Sequence, residues 1–109
     1  MAGVVDRLFT YARGESLSEA QKVALQAEGD YLAVGDVPNV LDALSERIGA
    51  ALAELRTIDP ATLGDFRAIG RARLPSTVIG CIVHGAEHAM RHVGQLSVTV
   101  RVARAETLP

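Results

Sequence analysis

The chain has 109 residues, of which 49% are hydrophobic and 22% charged, a size that predicts a single domain over residues 1–109 and excludes two. Its 13 acidic and 11 basic side chains give a net charge of −2, which argues against a nucleic-acid partner. The single cysteine, Cys81, cannot form an internal disulfide, and there is no signal-peptide pattern and no apolar run of about 18 residues. We therefore expect a cytoplasmic protein without a membrane partner.

Charge is distributed unevenly along the chain. Residues 1–66 carry 11 acidic and 5 basic side chains, whereas residues 67–109 carry six arginines and two acidic side chains. The two parts, net −6 and net +4, should attract each other within one chain or between two chains. Arg71 and Arg73 precede a predicted helix start at Pro75, where they could receive an anionic substrate or simply balance the acidic part.

Apolar residues recur at steps of three and four, which predicts a helical protein. Residues 2–13 form the first predicted helix, and Gly14 follows it as a residue that favours helix ends. The sequence Ser-Leu-Ser-Glu from Ser16 to Glu19 has the form of a capping box. A second, short helix is therefore predicted over residues 17–28.

The next predicted helix has the clearest pattern of the chain. Residues 29–36 are predicted as a loop, and Asp36 can cap a helix that has Pro38 in its first turn. The helix is predicted over residues 37–57, because apolar side chains repeat there at alternating steps of four and three: Val37, Leu41, Leu44, Ile48, Ala51 and Leu55.

The remaining chain predicts one short turn, one loop and one long helix. Asp59-Pro60 begins a helical turn, and residues 64–75 are predicted as a loop framed by glycines. A helix is predicted over residues 75–105, packed along the helix at 37–57. Within it, the alternating β-branched run at 97–102 also fits a strand, but no partner strand is visible, so we predict helix.

All three histidines lie in the long predicted helix at intervals of four residues, as His84, His88 and His92. At 100° per residue they form one stripe of the helix. The same stripe holds Thr77, Cys81, Gln95 and Thr99. Two histidines four residues apart can bind one cation, whereas His84 and His92 are about 12 Å apart along the axis. The pattern predicts a metal site that uses a pair and takes a further ligand from elsewhere.

The neighbours of the histidines each have a functional and a structural interpretation. Cys81 could offer a thiolate or be a small buried hydrophobe. Glu87 and Arg91 have the spacing of a surface ion pair, although a glutamate beside a site could also act as a general base. Gln95 could orient His92 or form a hydrogen bond to a neighbouring helix. We assign no catalytic residue.

At these residues the sequence resembles a known family. Residues 70–80 (GRARLPSTVIG) and 84–95 (HGAEHAMRHVGQ) resemble the last helix of the DinB-like superfamily, which consists of four-helix bundles that commonly bind a divalent metal. Residues 2–14 (AGVVDRLFTYARG), with Leu17 and Gln21, resemble the second helix of that family and the segment after it. The resemblance spans essentially the whole chain.

The resemblance implies an all-α bundle with a metal site of three histidines. Two ligands of the family map onto His88 and His92, and His84 is a weaker candidate. The third belongs to the second helix, immediately before Ala2, where this chain has Met1. The resemblance thus implies an N-terminally shortened member that lacks the first helix, with a four-helix core completed by dimerisation. We therefore expect a homodimer.

Two functions from different classes follow. The first is a metal-binding protein that holds zinc, nickel or manganese and acts on a small-molecule ligand as a transferase or isomerase that uses a low-molecular-weight thiol, as characterised relatives of the family do. In this hypothesis the metal activates the thiol. The alternative is a non-catalytic helical dimerisation module that has lost the metal. Metal content after purification distinguishes the two.

Overall fold

The computed structural model describes residues 1–106, and about 70% of this part is helical. The described part contains four α-helices and one β-hairpin: α1 (Ala2–Ala12), α2 (Glu19–Ala27), α3 (Val37–Leu55), β1 (Phe66–Ile69), β2 (Leu74–Thr77) and α4 (Val78–Glu106). Two single turns of 3-10 helix, Val34–Asp36 and Pro60–Thr62, precede α3 and β1. The prediction of a mainly helical protein is confirmed. No helix in the described part is long and apolar enough to cross a membrane.

The junction between α1 and α2 has the predicted glycine and a capping box, but the capping box begins two residues later than predicted. Gly14 has the positive φ of +77° expected after a helix end. The capping box, however, uses Ser18 and Gln21 instead of Ser16 and Glu19. Ser18 Oγ accepts from Gln21 N at 3.1 Å, and the Gln21 side chain accepts from Ser18 N at 2.9 Å. The later register prevails because Gln21 Nε2 also donates to Thr10 of α1 at 2.8 Å, a tertiary contact that the local pattern does not contain.

The segment predicted as a loop over 64–75 is instead the antiparallel hairpin of β1 and β2, so that prediction is wrong. Pro75 belongs to β2, where it pairs with Ala68. In a two-stranded ribbon both strands are edges, and an edge tolerates the missing N–H of a proline. The preceding turn, by contrast, is confirmed, because Asp59 Oδ1 accepts from Ala61 N at 2.9 Å.

Helix α4 begins three residues later than predicted and then runs without interruption. It starts at Val78 because Pro75 belongs to β2, and Thr77 Oγ1 caps it by accepting from Gly80 N at 3.1 Å. The segment 97–102 is helical, as predicted, despite its alternating β-branched residues.

The order of packing differs from our prediction. The α3 helix does not pack along α4; within residues 1–106, α1 lies between them and contacts both. Two ion pairs join α1 to α3, Asp6 with Arg47 at 2.8 Å and Arg13 with Glu54 at 2.9 Å. We paired α3 with α4 because they have the longest apolar patterns. The structure instead buries five residues of the shorter α1 and none of α3.

The buried core is small and lies along α1. It consists of Val5, Leu8, Phe9, Ala12, Val78 and Cys81. The molecule measures 57 × 27 × 25 Å and its radius of gyration is 16.2 Å, compared with about 13 Å for a compact chain of this length. The excess length indicates that parts of the long helices extend away from the core, and α4 has no buried residue beyond Gly85 in its described part.

Candidate functional site

His88 and His92 are half-buried on α4, and their imidazole rings meet. Their Nε2 atoms are 2.8 Å apart and their ring centroids are 4.5 Å apart at an angle of 59°. His84 is exposed, and its ring centroid lies 6.2 Å from that of His88. The structure therefore brings together the pair that the i, i+4 spacing predicts and leaves His84 outside it.

The N-terminal half of α1 and the end of α2 lie beside this pair. Arg7 Nη1 donates to Glu28 Oε1 at 2.7 Å, and the Arg7 side chain is only 13% exposed. The hydrogen bond from Arg7 lowers the pKa of the Glu28 carboxyl, and the amine of Met1 and His88 lower that pKa further. Arg7 and Glu28 were not predicted as site residues, because no local motif marks them and their neighbourhood arises only from the packing of α1 against α4.

Burial is the first cause of a lowered pKa at His88. The positive charges of His92, Arg91, His84 and the amine of Met1 lower this pKa further, in that order. A lowered pKa keeps the imidazole neutral at physiological pH, which is the protonation state that accepts a hydrogen bond or binds a cation.

The distance between the two Nε2 atoms fits a hydrogen bond as it stands. In that arrangement one Nε2–H donates and the other Nε2 accepts. Two nitrogens that each bind one tetrahedral ion at about 2.0–2.1 Å are about 3.3 Å apart, so the rings need to separate by only about half an ångström to share a cation. The pair therefore fits two positions of a metal coordination shell.

A complete shell is not formed by side chains of the described part of the chain. Among residues 1–106, no group of three histidine, cysteine, aspartate or glutamate side chains is arranged to hold a metal ion. The carboxylate of Glu28, whose pKa His88 helps to lower, is bound to Arg7. The residues present thus fit a pair of ligands and not a three-ligand site.

The other candidate residues of α4 lie outside the pair. Glu87 is exposed and accepts from Arg91 Nε at 3.0 Å, and this contact lowers the pKa of its carboxyl. Gln95 is exposed. Cys81 is completely buried in the core, where burial raises the pKa of its thiol, so this group is a neutral hydrophobe and not a thiolate ligand.

The two arginines that were predicted at a helix start lie elsewhere. Arg71 and Arg73 belong to the turn of the hairpin, and both are exposed. The start of α4 at Val78 is separated from them by β2.

Comparison with protein families identifies the chain. A model of the DinB superfamily matches residues 2–96, which include α1, the hairpin and all three histidines. Comparisons with curated proteins and with solved structures gave no match. Because the matched segment covers most of the chain, including the pair on α4, this protein belongs to the DinB superfamily.

Proposed function

We propose that this protein binds a divalent metal ion through Nε2 of His88 and of His92. The observation that carries the proposal is the convergence of these two nitrogens, 2.8 Å apart, on the helix where the family resemblance places two of its ligands. Half-burial supports it, because it removes water from the rings and lowers the pKa of His88, and both effects favour the neutral imidazole that a cation requires.

The pair leaves room for further ligands, which the side chains of residues 1–106 do not provide. When bound, a divalent ion lowers the pKa of a coordinated thiol or water. Around that position the chain contributes the half-buried Arg7, whose guanidinium also binds Glu28, and the partly exposed rings of the pair. We propose zinc, nickel or manganese as the ion and, as the family resemblance implies, transfer or isomerisation with a low-molecular-weight thiol as the reaction.

Titration calorimetry with zinc tests the metal site. We expect one equivalent to bind, and His88→Ala and His92→Ala each to weaken binding by more than about tenfold, because each leaves a single imidazole. His84→Ala is the matched control, since it removes an exposed histidine of the same helix, and its effect should be below about twofold. An absence of zinc, nickel and manganese binding, or an equal loss in all three variants, would contradict the proposal.

A specific observation favours the second candidate, a non-catalytic dimerisation module. Apolar side chains form an exposed stripe on α4 that lies within about 40° of the direction opposite His88. Its members are Ile79, Val83, Met90 and Val93, which are 45%, 58%, 76% and 54% exposed. The occupant that we propose is a second copy of this chain, because the net −6 and net +4 parts of two antiparallel copies attract each other.

Light scattering across a range of concentrations tests this candidate. We expect a dimer at micromolar concentration that Met90→Glu converts to a monomer, since a buried carboxylate is costly at an interface. Val23→Glu is the matched control, because Val23 is 64% exposed on α2, away from the stripe. A dimer that binds no metal favours the module, a metal-binding monomer excludes it, and a dimer unaffected by Met90→Glu places the interface elsewhere.

A further inference from the structure

A second concave surface lies at the other end of α1 from the histidine pair. It is a cleft of about 910 Å³ between one face of α2 and the β-hairpin, with Tyr11 and Gly14 at the end of α1 among its lining residues. This volume is in the range of about 300–1,000 Å³ that small-molecule sites have. The amine of Met1, which lies near His88, and Tyr11 are about 15 Å apart along α1, so the cleft is separate from the histidine pair.

The lining of the cleft is strongly cationic in a chain whose net charge is negative. Four basic side chains line it, Lys22, Arg67, Arg71 and Arg73, against one acidic side chain, Glu15. Glu15 is bound at 3.2 Å to Arg13, which also binds Glu54, and Lys22 is bound to Glu19 at 2.6 Å, so the positive charge of the cleft comes mainly from its three arginines. The concentration of positive charge in this cleft therefore attracts anions.

Two of the four cations have no partner in the described part of the chain. The guanidinium groups of Arg71 and Arg73 form no hydrogen bond or ion pair within residues 1–106. Arg67 is fixed, because its Nε donates to the carbonyl of Ala12 at 2.7 Å and its Nη1 to the carbonyl of Phe66 at 2.7 Å. The cleft thus combines one oriented guanidinium with two free ones, and guanidinium groups bind carboxylate and phosphate with paired N–H donors.

The backbone of the hairpin turn provides independent support. Arg73 has a φ of +50°, and it is the one non-glycine residue with a positive φ in the described chain. The left-handed region of backbone conformation is about 1 kcal/mol less favourable for arginine, whereas glycine adopts it without strain. Strained residues of this kind occur preferentially at functional positions, and Arg73 is one of the residues that line the cleft.

We infer that this cleft binds a small molecule that carries two or more carboxylate or phosphate groups. The three arginines lie on the hairpin side of the cleft and Lys22 lies on the α2 side. The acidic groups of the ligand are therefore held between the two sides. Phe66, which is 64% exposed, and Tyr11 offer an aromatic wall for an apolar part of the same molecule.

Calorimetric titration with inorganic pyrophosphate and, separately, with citrate tests the inference on the full chain. We expect saturable binding of at least one of them with a Kd below about 1 mM, weakened by added sodium chloride. Tighter binding of pyrophosphate identifies a phosphate ligand, and tighter binding of citrate identifies a carboxylate ligand. Absence of saturable binding for both overturns the inference.

Variants of the hairpin turn distinguish binding in the cleft from nonspecific electrostatic attraction of anions to the protein surface. Arg73→Gly removes the guanidinium and the strained φ together, so we expect at least about tenfold weaker binding, with an unfolding midpoint that is unchanged or higher. Arg71→Ala should weaken binding similarly and provides the test if Arg73→Gly does not fold. Arg101→Ala is the control of equal charge, on the exposed part of α4, and should change the affinity by less than about twofold. Equal losses in all three variants overturn the inference.

Discussion

The two halves of α4 share one helical backbone and have different surroundings. The half over residues 78–92 contacts α1 and the hairpin and carries the histidine pair, whereas all described side chains over 93–105 are exposed. An isolated helix shorter than about 12–15 residues is marginal in water, so the outer half depends on continuity with the packed half or on a partner. Apolar periodicity therefore predicts a helix but does not by itself predict which element covers its apolar face.

Truncation of a core side chain should give the largest effect on stability and tests directly whether the two halves of α4 differ in packing. Leu8 of α1 is 5% exposed and lies against Gly85 of the packed half, whereas Leu96 of the outer half is 53% exposed. We expect Leu8→Ala to lower the free energy of unfolding by about 2–5 kcal/mol and Leu96→Ala by less than about 0.5 kcal/mol. Urea denaturation of the two variants at one fixed protein concentration measures both. A comparable loss for Leu96→Ala would mean that the outer half is packed in solution.

A histidine at residue 1 should add a third ligand to the histidine pair, from the start of α1. The packed half of α4 would then differ further from the outer half, which has no such site over residues 93–105. The family resemblance places a histidine immediately before Ala2, and the amine of Met1 is close enough to His88 to lower its pKa. We expect Met1→His, in a chain lengthened by residues before position 1, to raise zinc affinity by more than about tenfold, or about 1.4 kcal/mol. The lengthened chain that keeps Met1 is the control. If calorimetry shows no gain for zinc, nickel or manganese, residue 1 does not reach the pair.

The Arg7–Glu28 ion pair should give the smallest effect. Glu28 is 41% exposed on its side chain, so we expect Glu28→Gln to cost about 0.2–1 kcal/mol at about pH 7. The folded-state pKa of Glu28 lies below its ordinary value of 4.5, so this stability is present above pH 4.5 and is lost as pH falls through the lower folded-state pKa. Thermal unfolding of the two proteins should therefore converge in acid. A difference that persists well below that pKa would show that the charge of Glu28 is not its cause.

The sequence predicted individual helices well because their signals are local. The apolar steps of α3, Gly14 after α1 and the turn at Asp59 all depend on neighbouring residues. The packing order was not accessible in the same way, since periodicity identifies a face and not the element that covers it. The hairpin was missed because Gly64 and Gly70 were interpreted as the frame of a loop. Its strands, FRAI and LPST, have only four residues each, and the second has a single apolar side chain besides its proline.

Within the candidate site, the sequence indicated the residues that lie on one helix and no others. The spacing of His88 and His92 predicts that their rings can meet, and they do. Arg7, Glu28 and the amine of Met1 come near His88 only through the tertiary fold, from positions at least 60 residues away along the chain. The cationic cleft likewise depends on a hairpin that the sequence did not predict.

The proposed function requires that one cation be shared by Nε2 of His88 and Nε2 of His92. Nuclear magnetic resonance of the histidine side-chain nitrogens during a zinc titration tests it most directly. We expect the Nε2 signals of His88 and His92 to shift together and to saturate at one equivalent, while the signals of His84 stay near their metal-free positions. Unchanged signals of the pair at saturating zinc, or shifts confined to His84, would contradict the claim.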